Sequence, residues 1–392
     1  MLADALRSPG TVLLDAPRPD ADSGRRGAVL FAGPRRELRA DTPAEVGPLL
    51  DGIDAALGEG RHVAGFLSYE AGAALVGLAP GPPVPGVPLG WFGVYDAPLE
   101  VAPRALAEAL DSAGSPSVVD VQLGVSEAGY RAAFDTVRAH IRAGDVYQVN
   151  LTAPLGFALD GDALALYAAL RRRQQVAYGA FLRLDGLAVA SVSPELFFRI
   201  DPDDDGRTVT TRPMKGTAPR GATADADRAL AADLLASPKD RAENLMIVDL
   251  LRNDVARIAE PGSVRVPALF EAEQYETVTQ MTSTVTGRVR PDARLGDVLR
   301  ALFPCGSVTG APKRRAMEVI RTVEGGPRGV YCGAIGTASP DGRAAFNVAI
   351  RTAVVQGGEG RYGVGSGVVW DSRAEAEYAE CLLKGRVLTD LA

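Results

Sequence analysis

Two pairs of acidic residues, each three positions apart, could together hold a divalent cation. Asp240 and Glu243 lie in a helical stretch over residues 238–254, and Glu377 and Glu380 repeat the spacing near the C-terminus. On a helix this spacing brings both side chains to the same face. Carboxylates from two such helices suit a hard cation, above all Mg²⁺, completed by water and substrate. Two solvated amphipathic helices remain the alternative.

Lysine is rare in this chain, so each lysine is a candidate for a specific task. The 42 basic residues include only four lysines, at positions 215, 239, 313 and 384. A compact ammonium or a nucleophilic neutral amine are roles that arginine cannot fill. Lys215 precedes Gly216, which permits a tight turn, and Glu195 lies upstream at the start of a strand. We expect Lys215 and Glu195 to act as nucleophile and acid/base pair; chance retention of the lysine is the alternative.

Three apolar segments near the C-terminus predict strands that could carry a carboxylate site. They contain Tyr331, Arg351 and Gly365, and turn sequences centred on Asp341 and Gly358 separate them. Simple hairpins would pair residue 331 with 351 and 351 with 365, which gives a cross-strand row on one sheet face. An arginine beside bare glycine backbone can hold a carboxylate through paired N–H groups. An ordinary arginine on a sheet surface is the alternative.

Composition excludes several other classes of function. The two histidines, His62 and His140, lack metal-ligand spacing, which disfavours zinc and Ser-His-Asp hydrolases. A net charge of −7 disfavours binding to nucleic acid or an anionic membrane. No long apolar run or signal-peptide pattern is present, and three scattered cysteines predict no disulfide framework. We therefore expect a reduced, cytoplasmic protein.

The elements that must position these residues alternate single helices with runs of strands. Helices are predicted over residues 126–143, 162–174, 222–258, 313–324 and 372–386, with hairpin-linked strands between them. This pattern predicts an α+β fold with mostly antiparallel sheets. We expect residues 1–120 to form a short N-terminal lobe segment and residues 121–392 the catalytic region, joined in one compact unit.

Together these residues resemble the chorismate-utilising enzymes, over about residues 126–387. The resemblance implies a two-lobed sandwich of sheets with outer helices. It implies Mg²⁺ bound by Glu243 and Glu380, with Asp240 and Glu377 in support, and it matches Glu195 to the general acid/base. The substrate-binding positions that it implies are Gly216, Thr217, Ser307, Tyr331, Arg351, Gly365, Gly367 and Lys384.

Two positions distinguish the branches of this family. Relatives that add water carry a lysine base where this chain has Gln148, and relatives that form anthranilate carry alanine in place of Lys215. The lysine form resembles the branch that aminates chorismate to 4-amino-4-deoxychorismate, on the route to p-aminobenzoate and folate. In one mechanism proposed for that branch, the lysine attacks ring carbon C2 and expels the C4 hydroxyl before ammonia adds at C4.

The resemblance also implies a partner. No convincing Gly-x-Cys-x-Gly nucleophile for glutamine hydrolysis is present, so ammonia is expected from a separate glutaminase subunit or from solution. Pyruvate elimination is expected to need another enzyme. Many relatives carry histidine where this chain has Gln280. An anthranilate-forming enzyme and a non-catalytic, chorismate-binding subunit that docks a glutaminase remain the alternatives.

Overall fold

The computed structural model describes residues 2–19, 27–275 and 278–392. Its helices are α1 (Leu2–Arg7), α2 (Pro43–Gly58), α3 (Ala71–Leu75), α4 (Pro103–Asp111), α5 (Glu127–Arg142), α6 (Ala163–Arg173), α7 (Ala224–Ala236), α8 (Pro238–Ala256), α9 (Leu295–Leu302), α10 (Lys313–Val323) and α11 (Ala374–Thr389). Its strands are β1 (Thr11–Ala16), β2 (Gly27–Phe31), β3 (Arg36–Ala40), β4 (His62–Leu67), β5 (Gly90–Tyr95), β6 (Leu99–Val101), β7 (Ser117–Leu123), β8 (Gln148–Asp160), β9 (Tyr178–Leu184), β10 (Leu187–Ser193), β11 (Leu196–Asp203), β12 (Gly206–Arg212), β13 (Met214–Pro219), β14 (Arg265–Gln274), β15 (Val278–Arg288), β16 (Gly310–Ala311), β17 (Ala334–Ala338), β18 (Ala344–Val348), β19 (Thr352–Gln356) and β20 (Glu359–Val368).

In the described ranges these strands form two antiparallel sheets. The first sheet has the order β16-β8-β20-β19-β10-β9-β1-β2-β6, with β7 also paired to β8. The second has the order β13-β15-β12-β11-β18-β17-β4-β5-β3, with β14 also paired to β15. Leu182 and Val189 of the first sheet belong to one buried cluster with Phe66 and Ile335 of the second, which places apolar core between the sheets. The predicted α+β class with mostly antiparallel sheets is confirmed.

Strands from the N-terminal segment extend both sheets. Strand β1 pairs with β9 in the first sheet, and β4 pairs with β17 in the second. The N-terminal segment and the rest of the chain therefore share both sheets and the core between them. No helix within the described ranges is both long and apolar enough to cross a membrane.

The C-terminal strands do not form the single row that their turns predict. Strands β17 and β18 pair in the second sheet, whereas β19 and β20 pair in the first. The chain crosses between the sheets at residues 349–351, where Arg351 has a φ of 51°. The prediction that Tyr331, Arg351 and Gly365 share one sheet face is therefore wrong. Hairpin register follows from turn length, but a transfer between sheets depends on packing that the turn sequences do not encode.

The helical region predicted over residues 222–258 is two helices. Helix α7 ends at Ala236 and α8 begins at Pro238, and the side chain of Ser237 between them accepts a hydrogen bond from the Asp240 backbone N–H. Proline favours the first turn of a helix and forces the preceding residue out of helical conformation. Helix α8 packs on β13 and β15 of the second sheet, and α11 packs on β20 of the first. The two acid-bearing helices thus belong to different sheets.

Candidate active site

Alternate glycines leave one face of the C-terminal half of β20 without side chains. Gly363, Gly365 and Gly367 are two residues apart and so present the same strand face. A Cβ on Gly363 would meet the ring of Tyr331 at 2.0 Å, and a Cβ on Gly367 would lie 3.3 Å from the Nζ atom of Lys215. We call this face the glycine strip. It runs from Tyr331 to Lys215 and lets a ligand approach the backbone closely.

Lys215 lies on a bulged strand and not at the tight turn that the sequence predicts. The register of β13 against β15 shifts between Met214 and Thr217, and Gly216 has a φ of 83°. A bulge of this kind bends the strand and redirects a side chain. The Nζ atom of Lys215 donates a hydrogen bond to the Ser307 carbonyl oxygen at 3.4 Å, and the side chain is half-buried. The amine therefore lies at one end of the glycine strip.

The Glu195 carboxyl is buried close to this amine. Burial raises the pKa of Glu195 to about 7, although a hydrogen bond from Ser307 and the charges of Lys215 and Lys384 oppose that rise. One carboxyl oxygen, Oε1, has no hydrogen-bond partner among the described residues. A carboxyl that titrates near neutral pH can both give and accept a proton. The geometry thus agrees with the predicted acid/base role, which stays a prediction.

The neighbouring strand β8 presents polar side chains beside the glycine strip. Asn150 pairs with Gly367 and Thr152 with Gly365, and Gln148 lies two residues before Asn150 on the same face. Gln148 is fully buried, yet neither its amide oxygen nor its amide nitrogen has a partner within the described ranges. Buried polar groups are normally paired, so the unpartnered amide favours a polar ligand in this pocket. The sequence marked Gln148 only as a branch difference, although the alternation of polar residues 148, 150 and 152 could have identified this wall.

The four acids lie on α8 and α11 as predicted, but at different depths. Glu377 is buried, Asp240 and Glu243 are half-buried, and Glu380 is exposed. Burial raises the pKa of Glu243, and the positive charge of Lys215 opposes the rise. The negative charges of Glu377 and Asp240 raise it further. Acids from the two helices are therefore near enough to repel one another.

The four acids on α8 and α11 do not form a complete set of ligands for a metal ion. Within the part of the chain that the structure describes, no group of three His, Cys, Asp or Glu side chains could hold one. The Nζ atom of Lys384 lies 2.7 Å from a Glu380 carboxylate oxygen and donates to the Gly365 carbonyl oxygen at 2.8 Å. A Cβ on Gly216 would lie 3.0 Å from the Cβ of Asp240, so the bulge packs directly on α8. Oxygen donors from these two helices nevertheless fit Mg²⁺, which takes few protein carboxylates and completes its shell with water and substrate.

Two of the predicted substrate-binding residues have different surroundings. Thr217 is exposed and pairs with Gln280 of β15. Arg351 lines a small cavity together with Tyr275 and Gln280. Burial lowers the pKa of the Arg351 guanidinium, which makes no hydrogen bond or ion pair to any residue that the structure describes. The residues that do come together around the strip are Glu195, Lys215, Gly216, Ser307, Tyr331, Gly365, Gly367, Lys384 and the four acids.

Sequence reasoning missed a buried ion pair beside this pocket. Glu324 and Arg328 contact the backbone of Asn150 and Thr152, which lie more than 170 residues earlier in the chain. The segment between them, Gly-Gly-Pro, has only the composition of a loop. No local signal could have identified the role of this pair, because the backbone groups that it binds are distant in sequence.

Comparisons with known proteins identify relatives over most of the chain. The family described as chorismate binding enzyme matches residues 12–390. The chain is 44% identical over 301 residues to aminodeoxychorismate synthase from Streptomyces griseus, covering 77% of this chain and 41% of that protein. It is 43% identical over 251 residues to anthranilate synthase component 1 from Methanothermobacter marburgensis, covering 64% of this chain and 54% of that protein. It thus spans about half the length of the curated relatives it matches.

A solved structure supports the same relationship. Anthranilate synthase component I from Streptococcus pneumoniae superposes with a TM-score of 0.78 at 28% sequence identity. The superposition covers 91% of this chain and 91% of that chain. The sandwich with outer helices that the sequence resemblance implies is therefore confirmed.

Proposed function

The chain belongs to the family of chorismate binding enzymes, and from that membership we propose that it aminates chorismate to 4-amino-4-deoxychorismate. The observation that carries the proposal is the Lys215 amine, which lies beside Gly367 and close enough to Glu195 for their charges to interact. An amine and a proton-exchanging acid in one pocket suit a substitution on the ring that passes through a covalent enzyme adduct. The anthranilate-forming relatives, which carry alanine at this position, lack that amine.

The chemistry proceeds as two linked substitutions. The Lys215 amine, acting in its unprotonated form, forms a bond to ring carbon C2, both conjugated ring double bonds shift, and the C4 oxygen leaves with a proton from Glu195 as water. Ammonia then forms a bond to C4, both double bonds shift back, and the bond to Lys215 breaks. The proton released from the new ammonium group returns to Glu195. Chorismate and ammonia thereby give 4-amino-4-deoxychorismate and water.

The remaining residues bind and orient the substrate. Lys384 and Tyr331 supply donors for its carboxylates, and the backbone N–H groups of Gly365 and Gly367 supply others. We assign pocket positions to Gly216 and Ser307 as well. Mg²⁺ would be held by Glu243 and Glu380, with Asp240 and Glu377 in support. It would neutralise a substrate carboxylate.

Ammonia is proposed to come from a glutaminase subunit. We place the product on the route to p-aminobenzoate and folate, with pyruvate elimination left to another enzyme. The name component 1 of relatives such as that of Klebsiella aerogenes, 44% identical over 268 residues, agrees with a two-component arrangement. Free ammonium should replace the partner in the test tube.

Mass spectrometry of the product tests the proposal. Purified protein with Mg²⁺, chorismate and a high ammonium concentration is expected to give 4-amino-4-deoxychorismate. Lys215→Ala should lower its formation at least about 100-fold, the range for loss of a group that acts in the chemical step. Lys239→Ala, which removes an exposed lysine 4.0 Å from Glu243, is the matched control and should retain turnover. Unchanged turnover in Lys215→Ala would remove the nucleophile role.

Anthranilate synthesis is the second candidate, because anthranilate synthase component 1 is 43% identical to this chain. Accumulation of anthranilate without added lyase would favour it and overturn the assignment above. Complete inactivity under the same conditions would instead favour a non-catalytic, chorismate-binding subunit.

A further inference from the structure

The middle of strand β8 lacks a strand neighbour on one edge. Within the described ranges, β16 pairs with Gln148 and Val149, and β7 pairs with β8 only from Leu155 onward. Residues 150–154 lie between these pairings. Unpaired N–H and C=O groups along such an edge must find other partners when they are buried.

A buried ion pair supplies two of those partners. The Thr152 backbone N–H donates to Glu324 Oε1 at 2.9 Å, and Arg328 Nη2 donates to the Asn150 carbonyl oxygen at 2.7 Å. Arg328 also binds Glu324 through two parallel hydrogen bonds, at 2.8 and 2.6 Å. Their side chains are only 2% and 7% exposed. The pair therefore takes the place of a neighbouring strand.

Arg328 connects three segments that carry the candidate site. Its Nη1 donates to the Val308 carbonyl oxygen at 2.7 Å, next to Ser307. Its backbone N–H donates to Glu70 at 2.7 Å, which holds the chain three residues before Tyr331. One side chain thus joins β8, the Ser307 turn and the segment that leads to Tyr331.

We propose that Glu324 and Arg328 are positioning residues for the chemistry on chorismate. They hold Asn150 and Thr152, whose strand pairs directly with Gly367 and Gly365 of the glycine strip. The inference rests on the proposed function for the identity of the substrate. Neither side chain needs to touch that substrate, because the pair acts by fixing the backbone opposite the strip.

The energetics of buried ion pairs argue that stability alone is a weak reason for this arrangement. The desolvation free energy of two buried charges offsets much of their electrostatic attraction. Proteins in which apolar residues replace such a pair are often equally stable. Arginine is also required by geometry, because a planar guanidinium can serve a carboxylate and two carbonyl oxygens at once. A lysine at position 328 keeps the charge but cannot make the same set of contacts.

The test compares two Arg→Lys substitutions, one in this buried ion pair and one in an ion pair whose arginine is half-buried. Arg328→Lys should lower kcat/KM for chorismate about 100-fold, chiefly through kcat, because small displacements of reacting groups have effects of this size. Arg171→Lys is the control: Arg171 pairs with buried Asp15 on strand β1, away from β8. Arg171→Lys should lower the melting temperature by a similar amount but leave kcat/KM within about threefold of the wild-type value. Hydrogen exchange should rise in peptides that cover residues 148–155 only in Arg328→Lys.

Separate outcomes decide this inference and the proposed function. Equal losses of kcat/KM in both lysine variants, or a change within threefold in Arg328→Lys, would overturn the positioning role. The double variant Glu324→Leu with Arg328→Met, which removes the pair without an unpaired charge, should show the same loss of turnover while it remains folded. Wild-type protein that makes anthranilate would overturn the proposed function only, because chorismate consumption is what the variants compare. If the wild type turns over nothing, the chorismate Kd replaces kcat/KM in the same comparison.

Discussion

Glu195 illustrates how burial tunes a single residue for proton exchange. Its carboxyl is 4% exposed, and burial raises its pKa to about 7 even though Lys215 and Lys384 carry opposing charge. A carboxyl in solution would be ionised at this pH and would be a poor proton donor. The protein thus gains a usable acid at the cost of holding a carboxyl in a site that disfavours its charge.

Glu195→Gln is expected to remove the free-energy cost of burying an ionised carboxylate at this position. The pKa of Glu195 rises from 4.5 to about 7 on folding, so the protonated carboxyl favours the folded state. Its contribution is complete below about pH 4.5 and is lost as pH rises to about 7. Urea unfolding should therefore show Glu195→Gln gaining stability over wild type between about pH 5 and 8, by at most about 3 kcal/mol. If the unfolding free energies of wild type and Glu195→Gln differed by the same amount at every pH in this range, the raised pKa of Glu195 would be contradicted.

Gly367→Ala is expected to damage the pocket with little effect on folding. The added Cβ would lie 3.1 Å from the Gln148 amide nitrogen and 3.3 Å from the Lys215 Nζ atom, and it would cover the glycine strip. Chorismate KM should rise about tenfold or more, since a displaced ligand loses over 1.4 kcal/mol. Gly47→Ala is the control, because a Cβ there meets nothing within 4 Å. It should stabilise α2 by about 0.5–1 kcal/mol without a change in KM. Equal KM values in both variants would argue against a ligand on the strip.

At this scale, lysine scarcity indicated two residues of the candidate site. Lys215 and Lys384 carry charges that lower the pKa of Glu195, whereas Lys239 is an exposed residue outside the pocket. Lys313 does not belong to the site: it forms an ion pair at 2.6 Å with Asp254. Rarity therefore indicated residues with a defined task, but the task could be structural as well as chemical.

The elements were predictable where local signals are strong. Ser126 accepts a hydrogen bond from the Gly129 backbone N–H at the start of α5, as its capping position predicts. Pro238 could have indicated the break between α7 and α8, because proline at the first turn starts a helix. The crossing at Arg351 could not be read locally. Its cause is the packing of two sheets against each other, which involves strands far apart in the chain.

Helix α11 is tied to the glycine strand by a small polar cluster. The Tyr130 hydroxyl lies 3.1 Å from Ser366 Oγ, and Ser366 Oγ lies 3.5 Å from the Glu377 carbonyl oxygen. Ser366 stands between Gly365 and Gly367 on the opposite face of β20. The cluster therefore joins the strand of the pocket to the helix that carries Glu377.

Tyr130→Phe should loosen this connection. Loss of the hydroxyl's hydrogen bonds with Ser366 Oγ and the Cys381 thiol is expected to reduce the free energy of unfolding by about 1 kcal/mol. Chorismate KM should rise as well, because the position of α11 relative to β20 would be less well fixed. Tyr378→Phe is a close control: its ring lies 5.3 Å from that of Tyr130, but its hydroxyl makes no hydrogen bond with the described residues. An equal or larger effect from Tyr378→Phe would contradict a specific role for the Tyr130 hydroxyl, because both variants keep their aromatic rings.

The whole molecule brings together residues that no short segment contains. Helix α8 rests on the second sheet and α11 on the first, so the acids meet only because the two sheets pack. Sequence could predict each acid pair and the type of fold, but not that Glu377 would lie near enough to raise the pKa of Glu243. That proximity depends on strand order across the entire chain.

This arrangement predicts that Mg²⁺ and chorismate stabilise the folded protein cooperatively. No three acids among the described residues form a cage, so Mg²⁺ alone should raise the melting temperature little. With chorismate present, substrate oxygens would complete the Mg²⁺ coordination shell and would thereby link helices that pack on different sheets. Stabilisation of about 2.7 kcal/mol is expected at a ligand concentration 100 times Kd. Thermal unfolding with Mg²⁺, chorismate or both would measure the effect, and Glu243→Gln should abolish only the cooperative part. A full shift with Mg²⁺ alone would instead require a metal site that is complete before chorismate binds.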